Sequence, residues 1–211
     1  MKAVFFDLDG TLVDSRADLC AAVNHTRRDL GLAERPDSEI LVNIGLGARH
    51  LLVNSIPEKA AEADYLWEAF MVRYREHLLD LSTLYPGVEE TLEVLSSRGW
   101  KMGVNTAKPS QATREVLKHF GIDGFFGDAV IAGGDCDEMK PSAKPLLACA
   151  ERMGHTVTPA DWMVGDNWTD VKCGINAGVK SAFCAFGFGT LGDAEYTVRI
   201  DSFAQLLEHL R

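Results

Sequence analysis

No stretch of this 211-residue chain approaches the run of roughly 18 apolar residues that a membrane-crossing helix needs. The N-terminus offers only Ala3-Val4-Phe5-Phe6 before Asp7, too short for a secretory signal, and the expectation is a protein that stays in the cytoplasm. Cysteine is sparse. The five present, at 20, 136, 149, 173 and 184, are odd in number and include no Cys-x-x-Cys pair, which argues against a disulfide-stapled scaffold and for reduced thiols. Positive charge is also short, 21 Lys and Arg against 31 Asp and Glu, for a net charge of −10. Neither nucleic acid nor an anionic membrane is therefore an expected partner, and an anionic ligand would have to be met by cations gathered locally. The chain has no internal repeat, low-complexity segment, Walker loop, Gly-x-Ser-x-Gly elbow or zinc-ligand spacing.

What is present is an alternation. Short apolar runs at Ala3–Phe6, Lys101–Asn105, Asp128–Ala132, Trp162–Val164 and Ser181–Phe186 read as buried strands. Helical patterns lie between them: Val88, Leu92 and Leu95 closed by Gly99; Val116, Leu117 and Phe120 closed by Gly121; Leu146, Leu147 and Ala150 between Pro145 and Gly154. Strand and helix in turn predict a three-layer α/β domain with a parallel sheet. Residues 15–81 break the pattern. Ser15-Arg16-Ala17-Asp18 has the form of a capping box opening a helix that stops at Gly31, a second helix starts at Asp37, and a long one follows Pro57. That last helix carries Leu66, Trp67, Phe70, Met71, Tyr74 and Leu78 on one face, the spacing of a helix-bundle core. The expected organisation is an α/β catalytic core of residues 1–14 and 82–211, interrupted by an all-helical insertion of residues 15–81.

Asp7-Leu8-Asp9-Gly10-Thr11 ends the first strand. If the strand persists through Asp9, both carboxylates face the same way, at the carboxyl end where open parallel sheets bind ligands. A second acidic cluster, Gly165-Asp166-Asn167-Trp168-Thr169-Asp170, follows another apolar run. Carboxylates brought together repel unless a cation intervenes, and hard oxygen ligands beside a phosphate select Mg²⁺. Thr106, past the second long strand, can give a hydroxyl to a phosphate, and Lys140 a point charge, with Lys144 as its rival. Gly45-Leu46-Gly47 followed by Arg49 and His50 reads as a loop reaching over the site, with Arg49 the candidate contact to an anionic leaving group. Gly187-Phe188-Gly189-Thr190-Leu191-Gly192 matches Gly-x-Gly-x-x-Gly, but the 19 residues after it leave no room for a dinucleotide-binding unit, and it reads as a plain glycine-rich loop.

In these motifs and their order the chain resembles the haloacid dehalogenase superfamily of aspartate-nucleophile phosphohydrolases, in particular its phosphoglycolate-phosphatase-like members with a helical cap. The resemblance spans essentially the whole chain. It implies a doubly wound parallel sheet of strand order 3-2-1-4-5, with Asp7 as nucleophile, Asp9 as acid and base, and Thr106 and Lys140 holding phosphate oxygens. It implies Mg²⁺ on Asp7, Asp166 and the backbone carbonyl of Asp9, with Asp170 behind, fixing Lys140 or a metal-bound water. Thr11 and Ala107 stand with Arg49 as expected substrate contacts. After the motif threonine, relatives often carry Asn before Lys-Pro, where this chain has Ala107-Lys108-Pro109, so that Ala107 replaces the amide. The expected partner is a small phosphorylated metabolite and the expected assembly a monomer or homodimer. The rival readings are a phosphomutase of the beta-phosphoglucomutase type, a receiver-type signalling domain, a dehalogenase, and a non-enzymatic phosphoacceptor or binding protein.

Overall fold

Four consecutive apolar residues, all buried, form β1 (Ala3–Phe6), and only the middle of a sheet covered on both faces provides that environment. The computed structural model describes residues 2–211. From β1 the chain passes through β2 (Val13–Asp14) into α1 (Arg16–Asp29), α2 (Asp37–Leu41), α3 (Ala48–Ser55), a 3₁₀ turn at Pro57–Glu62 and α4 (Ala63–Glu76), and returns through β3 (Thr83–Leu84). Alternation follows: α5 (Val88–Ser97), β4 (Lys101–Pro109), α6 (Ser110–His119), β5 (Val130–Gly133), α7 (Lys144–Arg152), β6 (Trp162–Gly165), α8 (Trp168–Asn176), β7 (Lys180–Cys184), β8 (Val198–Ile200) and α9 (Leu206–His209).

The main sheet has six strands in the order β5-β4-β1-β6-β7-β8, all parallel. Phe5 sits between Gly103 of β4 and Met163 of β6. The chain moves outward from β1 first in one direction and then in the other, so the tip of β1 lies at the crevice where the winding reverses. The two-residue periodicity of β1 divides the core. Val4 and Phe6 join the larger apolar cluster with Leu92 of α5, Val116 of α6 and Leu206 of α9, while Ala3 and Phe5 face Leu146 of α7 and Cys173 of α8. A two-stranded antiparallel ribbon, β2 against β3, closes the helical excursion at its base. All five cysteines are free thiols. Among the described residues, no helix is long and apolar enough to cross a membrane.

The structure corrects several sequence expectations. β8 is a sixth strand, and three residues of alternating burial are too short to announce it. β4 runs on to Pro109, with an irregularity between Asn105 and Pro109, whereas Phe186 falls outside β7. Pro57 opens a 3₁₀ turn, and the long helix begins only at Ala63. Arg49 and His50 lie in the first turn of α3, which starts directly after Gly47. The Ser15–Asp18 capping box does not form. Ser15 instead donates to Asp9 Oδ1 at 2.6 Å, and Asp18 accepts from the Leu81 and Ser82 amides and the Ser82 hydroxyl. Both side chains serve long-range ties in preference to the end of their own helix.

Candidate active site

Regular strand ends at Phe6, although the Asp7 amide still donates to Val164 O at 2.9 Å, as a continued ladder would. The chain then turns sharply, with the Thr11, Leu12 and Val13 amides all directed at Leu8 O. Gly10 makes this turn at φ +82°, and a Cβ there would overlap the Asp166 carboxylate, so glycine is needed for both conformation and space. Asp7 and Asp9 thus reach one cavity by a tight turn and not by strand periodicity.

Asp7 is buried, and its Oδ1 accepts from the Leu8 amide at 2.8 Å and from Lys140 Nζ at 2.9 Å. Lys140 lies in the loop after β5 and also donates to Asp170 Oδ1 at 2.5 Å. Burial alone would lower the affinity of this ammonium for its proton, but Asp170 and Asp7 outweigh burial and raise it. Asp170 is pushed up to about 7 by burial, in spite of Lys140. Its other oxygen accepts from the Asn167 amide at 3.0 Å, while the Asn167 side chain accepts from Thr169, so the start of α8 carries the capping box. Asp166 sits at the tip of β6. Its Oδ2 accepts from the Phe188 and Gly189 amides at 3.0 and 2.6 Å, yet burial together with Asp170 and Asp7 holds its carboxyl well above the usual range.

Asp7, Asp166 and Asp170 each bring a carboxylate oxygen within 4.8 Å of the others. Three buried carboxylates, two of them bound to the single ammonium of Lys140, form a donor set short of positive charge. That arrangement fits a small hard divalent cation.

Asp9 has different neighbours. Ser15 Oγ donates to it, as does Lys108 Nζ at 2.9 Å, and Lys108 in turn lies 5.2 Å from the centre of the Tyr74 ring. Thr106, within β4, is buried and accepts from the Lys108 amide at 3.3 Å. A cavity of about 50 Å³ joins these groups, with Asp7, Asp9, Asp166, Thr106 and Lys108 on its floor and Leu19, Ile44, Leu51, Phe70 and Tyr74 on its walls.

The structure therefore brings together Asp7, Asp9, Thr106, Ala107 and Asp166 at the cavity, with Lys140 and Asp170 directly beneath. Lys144 stays at the surface, bound to Asp137 and Glu138. Arg49 does not come to the cavity. It pairs with Asp64 at 2.6 Å, lies over the Trp67 ring, and its side chain is 58% exposed. Thr11 is completely buried and does not line the cavity. Sequence reasoning gave Lys108 no role; what it noted in this segment was Ala107 in place of the relatives' Asn before Lys-Pro. It also set aside the 187–192 glycine loop, whose amides grip Asp166, and treated Phe70 and Tyr74 as packing alone.

The family model described as haloacid dehalogenase-like hydrolase matches residues 4–184. A phosphoglycolate phosphatase of Chromobacterium violaceum is 36% identical, with 100% of this chain and 97% of that protein covered. One from Aquifex aeolicus is 35% identical, covering 89% of this chain and 86% of its own length. Among solved structures, a predicted phosphoglycolate phosphatase of Haemophilus somnus 129pt superposes with a TM-score of 0.91 at 29% identity, covering 100% and 98% of the two chains.

Proposed function

As the chain belongs to the haloacid dehalogenase-like hydrolases and is a phosphatase, we propose that it hydrolyses a small phosphoglycolate-like phosphate monoester through a phosphorylated Asp7. The observation that carries this reading is the environment of Asp7: a buried carboxylate on the cavity floor, bound by Lys140 and flanked by the carboxylates of Asp166 and Asp170. Residues 1–14 and 82–211 would act as the catalytic core, and residues 15–81 as a cap that closes over it.

In this mechanism an Asp7 carboxylate oxygen attacks phosphorus opposite the leaving alkoxide, splitting one displacement into two. Lys140, fixed by Asp170, orients the attacking carboxylate and neutralises phosphate charge. The Thr106 hydroxyl, which lines the same cavity, would hold a second phosphate oxygen. Asp9, steadied by Ser15 and Lys108, gives a proton to the departing oxygen and then takes one from the water that cleaves the acyl phosphate. Asp7, Asp166 and the Asp9 carbonyl would hold Mg²⁺; when bound, the ion offsets the repulsion between nucleophile and phosphate. Asp170 serves as the anchor of Lys140, because both its oxygens already have donors.

A phosphate-release screen over small monoesters, with and without Mg²⁺, tests the reading. We expect turnover that requires the metal and favours short esters. Full activity in excess chelator would contradict it, as would net isomerisation without release of phosphate, the signature of a mutase.

A further inference from the structure

Two glycines of the helical excursion meet the α/β part of the chain backbone first. Gly45 has φ +111°, and a Cβ on it would stand 2.6 Å from Asn167 Nδ2; Gly47 has φ +88°, and a Cβ there would stand 2.8 Å from Met139 Cε. Glycine is the residue that combines this conformation with so close an approach. The 44–47 loop therefore lies directly on two residues of the sheet domain, and each is the sequence neighbour of a group in the site: Asn167 follows Asp166, and Met139 precedes Lys140. Met139 is 39% exposed and flexible, so it can yield. Asn167 is buried, lines the cavity and is engaged at every polar end. Its side-chain oxygen accepts from the Thr169 amide and hydroxyl at 3.2 and 3.3 Å. Its backbone amide donates to Asp170 Oδ2 at 3.0 Å, and its side-chain nitrogen donates to Ile44 O, in the helical excursion, at 3.5 Å.

We infer that Asn167 is a positioning residue that joins the two halves of the cavity, seating the 44–47 loop while it holds in order the groups beneath Asp7. The inference rests on the phosphatase reading above and adds to it the residue through which the cap acts on the floor. The capping box that Asn167 completes fixes Asp170, and Asp170 holds Lys140 against Asp7. Serine would cap α8 about as well; what asparagine adds is a donor directed away from the helix. With the loop seated, Ile44, Gly45 and Gly47 complete the cavity wall. Lifted off Asn167, the loop would open that side to water and weaken every polar contact inside.

The test separates the seat from the helix cap. Asn167→Ser keeps an oxygen for the Thr169 amide but loses the amide group under Gly45, and Asn167→Ala loses both. Each variant is compared with wild type by kinetics on 2-phosphoglycolate with Mg²⁺, by thermal unfolding, and by hydrogen exchange of the 40–47 segment in ligand-free protein. We expect Asn167→Ser to unfold within about 2 °C of wild type. It should raise KM about fivefold with kcat within about twofold, and speed exchange of the segment by a similar factor. Asn167→Ala should in addition lower kcat, by about tenfold, and Tm, because the turn that carries Asp170 is loosened. Gly45→Ala should also raise KM, and combined with Asn167→Ser it should raise KM by less than the product of the two effects, since both act on one contact. Unchanged exchange in folded Asn167→Ser would overturn the seat. Faster exchange with an unchanged KM would overturn its link to the substrate, as would effects of the two substitutions that multiply in full. If wild type releases no phosphate from any small monoester, the phosphatase reading fails, and the exchange measurement still decides whether Asn167 seats the loop.

Discussion

Asp7 and Asp9 are two residues apart and differ in their neighbours, and their variants should fail differently. Asp7 is bound to Lys140, while Asp9 is held by Ser15 and Lys108. Asp7→Asn removes the proposed nucleophile and should abolish both turnover and covalent phosphate. Asp9→Asn keeps the nucleophile but weakens both proton transfers. With an ester whose leaving group departs unprotonated, it should accumulate an acyl phosphate on Asp7, visible by mass spectrometry of the quenched protein. Phosphate recovered on Asp9, or on a serine or histidine, would refute the assignment. Gly10 provides a second test at this scale. Gly10→Ala would place a methyl against the Asp166 carboxylate at a positive φ, and should lower activity by about 100-fold or more by displacing Asp166. Activity close to wild type would mean that Asp166 can move without consequence. Motif residues such as Asp7 and Asp166 were legible in the sequence because two acidic clusters follow two strand-like runs. Lys108 was not, since a lysine beside a proline after a strand has the same local signature as a solvated surface lysine; its burial arises from α4 and Asp9, remote in sequence.

Two carboxylates away from the cavity tie elements together. Asp18 in α1 accepts from both amides and the hydroxyl of the Leu81-Ser82 segment just before β3. Asp18→Ala should cost about 2–3 kcal/mol, read as a lower urea midpoint, because buried donors lose their acceptor. A shift below about 0.5 kcal/mol would show that water replaces the carboxylate, since surface substitutions stay within that range. Asp161, just before β6, accepts from the Ala3 amide at 2.7 Å, from the Thr158 amide and from His155. Burial works against its charge, but His155 and these amides prevail and hold its carboxyl below the usual value. Because the folded value is depressed, the stabilisation is complete above the unfolded value of about 3.9 and disappears as pH falls through the folded one. Wild type should exceed Asp161→Asn in urea stability near neutrality, and the gap should narrow below about pH 4; a gap constant with pH would count against the charge. Element boundaries were legible where several turns repeat one apolar face, as in α5 and α6. They were obscure at α3, where Gly45 and Gly47 look like loop, and at β8, whose pairing with β7 is set by tertiary contact alone.

At the scale of the molecule, a metal held by the carboxylate cluster would couple its binding to folding. A ligand that binds only the folded chain stabilises it by about 2.7 kcal/mol at a hundred times its Kd, which for a domain of this size is a Tm increase on the order of 5–10 °C. Saturating Mg²⁺ should produce such an increase in wild type by scanning calorimetry and little in Asp166→Asn. Equal shifts in the two would place the ion elsewhere.

The ribbon of β2 and β3 gathers both ends of the helical excursion at one place. Floor and wall of the cavity are thereby encoded apart: Asp7, Asp9, Thr106 and Asp166 outside residues 15–81, and Leu19, Ile44, Leu51, Phe70 and Tyr74 within them. Heritable change confined to one contiguous stretch of gene, Ser15 apart, can reshape the wall while the groups proposed to break the bond stay as they are. A lineage carrying this plan can diversify its diet without relearning its chemistry.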